Sequence, residues 1–331
     1  MYKKTLQLKS ITPVFMYGGD GKTPEIRLTE FKGMMRFWWR SYQDIKDIKE
    51  LLKKEGEIFG DTKGKSTFQM KLSNLKCKTK PITEDFIRPQ KYLFFPLELQ
   101  LNEGRKDFFT YAEIDIELSG FNEKLLDEVG MSLMIAVHLG GFGERARRTG
   151  GNFHLSNMGS FDVDLPVKVK EYINLSRKSH FSNYSYTKFP SMIFKTKSYK
   201  DEKRLQTFFI NKLKEIRESF SNNPIAGEID RFFLGMPAHF GGIGHKRKDY
   251  EVHFNNKKLD RRSSPLAFKI IKENDNFIGL IYLFEGIWLV PDKGITVNKK
   301  AFSAEELEEK HKDVHEKVIE MLKDDSSLVE V

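Results

Sequence analysis

Leu6, Leu8 and Ile11 alternate with polar residues at the start of the chain, and this predicts a strand that Thr12-Pro13 stops. A loop rich in Gly and Asp follows (Gly18-Gly19-Asp20-Gly21). Met34, Met35, Trp38 and Tyr42 then recur at helical spacing, and the pattern extends through Ile45, Ile48 and Leu52 to Phe59-Gly60. Alternation over residues 66–72, 92–101 and 109–118 predicts three strands. Asn122 is placed to cap a helix carrying Leu125, Leu126, Val129, Leu133, Met134 and Val137, which Gly140-Gly141 ends. Residues 153–158 read as a closing strand. The first half is therefore β-α-β-β-α-β with an extra strand or insertion before its second helix, a ferredoxin-like pattern.

The second half repeats the theme less clearly. A strand is predicted at 192–195 and a helix at 201–220, on the stripe Leu205, Phe208, Phe209, Leu213 and Ile216. Two strands at 265–271 and 277–284 are joined by the turn Glu273-Asn274-Asp275. Ser303 and Glu306 have the spacing of a capping box, ahead of a helix with Leu307, Val314, Val318 and Leu322. The expected fold class is α+β, with two ferredoxin-like (RRM-related) domains packed together. They are expected at 1–165 and at 166–331, the second decorated and ending in a charged helix.

At 331 residues, two domains fit the length, and 39 % hydrophobic residues suffice for a core. The net charge of +9 suits a polyanionic partner. Cys77 is the only cysteine, which excludes an internal disulfide and a Cys-rich metal site and fits a reducing, cytoplasmic setting. The opening residues have no apolar core long enough for a signal peptide, and no run of about 18 apolar residues suggests a membrane span.

Three segments carry candidate chemistry. The run from Gly140 to Phe153 places Arg145, Arg147 and Arg148 between two glycine pairs. Glycines such as Gly141 and Gly143 let backbone N–H groups approach an anion, and arginines donate in pairs to phosphate. A nucleic-acid backbone is the natural ligand, although a solvated turn after a helix would look similar. Being a loop, it is expected to be exposed, so that losing Arg147 and Arg148 would cost little stability. Lys32, Arg36 and Arg40 form a second, basic stripe at i, i+4 and i+8, while Trp38 and Trp39 read as core. The third segment, around His239-Phe240-Gly241-Gly242, continues into His245, Lys246 and Arg247, with Arg261-Arg262 beyond it.

Catalytic signals are thin. His311 and His315 have the spacing of a helical metal pair, but the Glu of the zinc-protease motif is missing and the setting reads as a solvated surface. His239 and His245 could act as base and acid in metal-free RNA cleavage. No nucleophile elbow and no compact acidic cluster is present. No catalytic set, metal or cofactor is expected.

The segments Arg27–Arg40 and Gly140–Gly151 resemble the RAMP superfamily of CRISPR effector proteins, and more narrowly the first-numbered RAMP subunit of the type III-B (Cmr) complex. Thr12-Pro13, Gly18-Gly19-Asp20, the Lys32-Gly33-x-x-Arg36-Phe37-Trp38-Trp39-Arg40 run and Phe59-Gly60 all fit. So do Leu234-Gly235-Met236-Pro237 and Arg261-Arg262-Ser263-Ser264-Pro265-Leu266. The glycine loop follows the family form Gly-Gly-Phe-Gly-x-Arg-x-Arg-Arg, but Thr149 stands where the family continues with Gly. The resemblance implies two ferredoxin-like domains and a non-catalytic RNA-binding subunit. Such a subunit holds the 3′ region of the guide RNA and its target RNA, beside other Cmr subunits, in antiviral defence. The alternatives are a metal-independent RAMP endoribonuclease that processes CRISPR RNA and a protein–protein scaffold.

Overall fold

The computed structural model describes residues 1–94, 97, 107–178, 188–220, 229–235, 252–254, 257–258, 263–286, 295–297 and 300–331. The first unit contains β1 (Tyr2–Ser10), α1 (Leu28–Ser41), α2 (Ile48–Phe59), β2 (Phe68–Pro81), the single turn α3 (Glu84–Ile87), β3 (Asp107–Gly120), α4 (Glu123–His138) and β4 (Phe153–Asn157). Its sheet runs β2-β3-β1-β4, and every neighbouring pair is antiparallel. Alternate residues explain the layering. Leu6 and Leu8 on β1 and Ala112, Ile114, Ile116 and Leu118 on β3 are buried, while Glu113, Asp115 and Glu117 share the other, open face.

Helix α5 (Leu165–Lys178) leads to a second sheet made of β5 (Ile193–Thr196), β8 (Leu266–Glu273), β9 (Asn276–Leu283) and β12 (Leu328–Glu330). Helices α6 (Glu202–Glu218) and α7 (Ala304–Lys323) connect these strands, and a small sheet of β6 (Val252–Phe254), β7 (Lys257–Lys258), β10 (Ile295–Val297) and β11 (Lys300–Phe302) interrupts them. The main sheet runs β12-β5-β9-β8, again antiparallel. Numbered by their order within each unit, the strands of both sheets run fourth, first, third, second. The observed fold is thus mixed α+β with antiparallel sheets.

Several local expectations are met in detail. Asn122 accepts from the Leu125 amide at 3.2 Å, and Ser303 with Glu306 closes a capping box. Asn274 supplies a positive φ of 53° in the β8–β9 turn. Others are corrected. The first helical stretch is two helices, because Asp47 caps a second one by accepting from the Lys49 amide. Tyr92 and Leu93 are helical and not strand, since the run from Thr83 starts with a cap on the Phe86 amide and continues as turns. The C-terminal strand β12 is too short to leave a periodic signal.

The two tryptophans divide their work because consecutive helical residues point about 100° apart. Trp39 packs on Phe59 and donates to Glu128 Oε1 at 2.6 Å, within the first unit. Trp38 faces the second unit, with ring centroids 5.5 Å from Phe284, 5.8 Å from Phe189 and 6.3 Å from Tyr282. Gly140 makes room for it: a Cβ there would lie 2.7 Å from Trp38 Nε1 and 2.5 Å from the Ala136 carbonyl. The Tyr282 hydroxyl donates to the Leu139 carbonyl and closes this seam.

Lys269, on β8, is 1 % exposed, and its Nζ has no hydrogen-bond partner among the described residues. Burial holds its amine well below the usual lysine value of 10.5. A base depressed in this way contributes most above its unfolded pKa, and that contribution is lost as pH falls from 10.5 toward the native value. Lys269→Met is therefore expected to raise the thermal midpoint by a few degrees at pH 7, with the advantage shrinking toward pH 10. Calorimetry across that range checks both statements.

Candidate nucleic-acid interface at the junction of the two units

The glycine–arginine loop follows α4 and lies between the two units, where its arginines meet backbone carbonyls. Arg145 Nε donates to the Leu93 carbonyl at 2.7 Å. Arg147 donates to the Ser264 carbonyl and lies 4.6 Å over the Phe284 ring. Arg148 is 5 % exposed; it donates to the Leu266 carbonyl at 2.6 Å and to the Arg147 carbonyl at 3.0 Å, 5.5 Å over Phe268. The Phe268 amide bonds back to the Arg147 carbonyl at 3.2 Å, and Asn152 Oδ1 takes the Ile270 amide at 2.8 Å. The loop therefore covers the free edge of β8, a position where an open strand would invite stray pairing.

This corrects the expectation of an exposed, dispensable loop. Gly141 is buried, and Gly143 is partly buried at a φ of +84°, where a Cβ would stand 2.3 Å from the Phe15 carbonyl. Arg145 and Thr149 hold positive φ values of 64° and 66°. A β-branched residue rarely adopts that geometry. Thr149 is the residue that departs from the family pattern, and it occupies a backbone shape that glycine adopts without strain. Loops are usually at the surface, but this one lies under a second unit that local sequence does not reveal.

The basic stripe on α1 is likewise engaged. Arg36 Nε lies 2.9 Å from Glu55 Oε1 and Arg40 Nη1 lies 2.7 Å from Glu55 Oε2, so one buried carboxylate on α2 ties both to the helix pair. Arg36 also donates to the Gly60 carbonyl. Lys32 is half-buried, 5.3 Å over Phe68. Burial, and then the Arg36 cation, lowers its pKa. His245, Lys246 and Arg247, like His239, Arg261 and Arg262, lie outside the described residues. His311 is buried at 5 %, packed on Phe233, which overturns its reading as a solvated surface. Its helix packs that face against the 3₁₀ turn Asp230–Leu234.

The structure adds three residues that the sequence did not single out. Lys214 and Arg217, on α6, each sit 5.6 Å from the centroid of the Tyr92 ring. Tyr92 neighbours Leu93, whose carbonyl holds Arg145. Burial first, and then the Arg217, Arg145 and Arg147 cations, push the Arg148 pKa well down. Lys214 and Arg217 thus meet on one tyrosine from the second unit, Arg145 reaches the carbonyl next to it from the first, and Arg148 feels Arg217, Arg145 and Arg147, so these like charges repel one another. An anion entering between them would relieve that repulsion. The only sequence signal was the i, i+3 spacing of Lys214 and Arg217 on the polar side of α6.

Two like-ordered antiparallel sheets joined by a buried aromatic seam, with cations gathered where they meet, define a two-unit α+β protein with a cationic junction. Comparison with known proteins narrows this class. Residues 7–154 match the RAMP superfamily. The CRISPR system Cmr subunit Cmr1-2 of Pyrococcus furiosus is 30 % identical over 182 residues, which are 46 % of this chain and 94 % of that protein. Cmr subunit Cmr1-1 of the same organism is 26 % identical over 168 residues, 47 % of this chain and 48 % of that protein, so the match spans about half of that relative's length. The crystal structure of apo Cmr1 from Pyrococcus furiosus superposes with a TM-score of 0.58 at 17 % identity, covering 88 % of this chain and 90 % of that one. A chain of the type III-B Cmr-beta complex bound to cognate target RNA and AMPPnP, in the presence of ssDNA, superposes at 0.52 with 12 % identity, covering 95 % and 99 %. The chain belongs to the RAMP superfamily, and within it resembles Cmr1. Among the described residues, no helix is long and apolar enough to cross a membrane.

Proposed function

We propose that this chain is a non-catalytic, Cmr1-like RNA-binding subunit of a type III-B CRISPR ribonucleoprotein. It contacts the 3′ region of the guide RNA and its target RNA, beside other Cmr subunits, in the cytoplasm. The observation that carries this reading is the gathering of cations at the junction, with Lys214 and Arg217 on Tyr92 and the loop arginines beside them. Phosphates suit such a group because each can bridge several guanidinium and ammonium donors. Contacts of this kind position an RNA and do not read its bases.

In this reading Lys214, Arg217, Arg145 and Arg147 face the phosphates, and Lys32 contributes from α1. Arg148, Arg36 and Arg40 hold the frame that places them. His245, Lys246 and Arg247 add further contacts to the RNA. Both units are ferredoxin-like, as the shared strand order supports. They comprise residues 1–165 and 166–331, with α5 as the connector: Tyr172 stacks on Tyr42 at 4.6 Å, and Arg177 donates to the Ser191 carbonyl at 2.7 Å.

The test uses labelled single-stranded RNA and the purified chain in EDTA. Retention of the RNA without new cleavage products is expected over hours. Discrete products, lost in a His239→Ala, His245→Ala variant, would instead establish the metal-independent endoribonuclease. Absence of binding at low salt would leave the scaffold reading standing.

A further inference from the structure

Strand β2 carries a second basic feature that is separate from the junction. Residues 62–81 contain six lysines, at 63, 65, 71, 76, 78 and 80, and not one carboxylate. The whole chain is nearly balanced, with 56 basic and 47 acidic residues, so this short stretch holds most of the excess of +9. β2 is the terminal strand of its sheet, and one side of its backbone is unpaired within that sheet. Lys71, Lys76, Cys77, Lys78, Thr79 and Lys80 are all exposed.

The open face beside it is not neutralising. Glu113 and Glu117, across from Lys76 and Lys71, already pair with β1 lysines: Lys9 to Glu113 at 3.5 Å and Lys3 to Glu117 at 3.2 Å. Lys76 shares Glu113 at 3.4 Å. Lys71, Lys78 and Lys80 have no ion pair among the described residues. Edge lysines often serve only to discourage strand-to-strand aggregation. One or two suffice for that, whereas β2 itself carries four, with Lys63 and Lys65 just ahead of it and no carboxylate between.

We propose that the solvent-facing edge of β2 is a second phosphate-tracking surface that takes the backbone of single-stranded RNA. Alternate residues on a strand repeat at about 6.8 Å, comparable to the step between phosphates of an extended single strand. Lys76 and Lys78 follow that repeat, and Lys80 extends the basic row past an irregularity in the pairing after Lys78. The open face offers one aromatic ring on its central strand, Tyr111, beside Glu113, Asp115 and Glu117, so a row of stacked bases has no platform there. Contact is through phosphate and independent of sequence. The inference shares the RNA ligand of the proposed function but uses different residues.

The test compares three proteins binding a single-stranded oligouridylate across a salt series: the unaltered chain, a Lys76→Gln, Lys78→Gln, Lys80→Gln variant, and a control with the exposed residues changed as Lys170→Gln, Lys200→Gln, Lys203→Gln. The β2 variant should bind about tenfold more weakly. Its log–log salt slope should be smaller by about 2 units, since each phosphate neutralised on a single strand contributes about 0.7. The control should change less than twofold. Equal behaviour of the two variants, with the unaltered chain binding normally, would overturn the β2 surface alone. No binding by the unaltered chain would overturn the proposed function as well. If the β2 variant aggregates, Cys77 decides: a fluorophore there, on the otherwise unaltered chain, should respond to the RNA saturably and lose the response in high salt. A silent label would overturn the proposal.

Discussion

Arg148→Ala is expected to lower the unfolding free energy by about 3 kcal/mol, within the range for truncating a large buried side chain. The guanidinium satisfies the Leu266 carbonyl and lies over Phe268, on the strand edge that the loop covers. Deleting it leaves a void and strips the buried Leu266 carbonyl of a charged donor. For a chain of this size that corresponds to a fall of roughly 4 °C in the thermal midpoint. Arg148→Met keeps most of the volume and removes the repulsion from Arg145, Arg147 and Arg217, so it should lose less. Calorimetry of both variants checks the order. An alanine variant as stable as the parent would mean that the loop does not clasp the second unit.

Lys214→Ala with Arg217→Ala should leave the thermal midpoint nearly unchanged while weakening single-stranded RNA binding by at least about 150-fold. The reason lies in where these side chains stand. Lys214 is exposed and Arg217 half-buried, on the outer side of a helix whose buried positions are Leu205, Phe209, Leu213 and Ile216. Their visible contact is a shared tyrosine ring, worth about 0.5–1 kcal/mol each at such sites. A charged hydrogen bond to phosphate is worth about 1.5–3 kcal/mol, and two are lost together. Anisotropy titrations at fixed salt, on RNAs of unrelated sequence, should show the same loss for each. A loss confined to one sequence would point to base readout and against phosphate contact.

Much of the framework was legible because it rests on local rules. Asn122 and Ser303 announce helices by capping chemistry, and the alternation of Ile114, Ile116 and Leu118 announces β3. The tryptophan pair could be read as core, but not as two different interfaces, since Trp38 acquires its partners 150 and more residues away. The same distance hid the fate of the arginine loop. Arginines among glycines look like a phosphate cradle until Ser264 and Leu266 are brought beside them. Arg36 and Arg40 look like a stripe facing solvent until a helix break at residues 42–47 folds Glu55 back onto both. The junction itself combines Tyr92, from a stretch that read as a strand, with α6, and no local pattern joins them.

The measurement closest to the central claim is the salt dependence of single-stranded RNA binding by the unaltered chain. If phosphates occupy the cationic junction, the logarithm of the association constant should fall linearly with the logarithm of salt concentration. The slope should be at least about −3, one increment of about 0.7 for each of four or more contacts, and alike for RNAs of different sequence. Binding that is indifferent to salt, or none at low salt, would contradict the account.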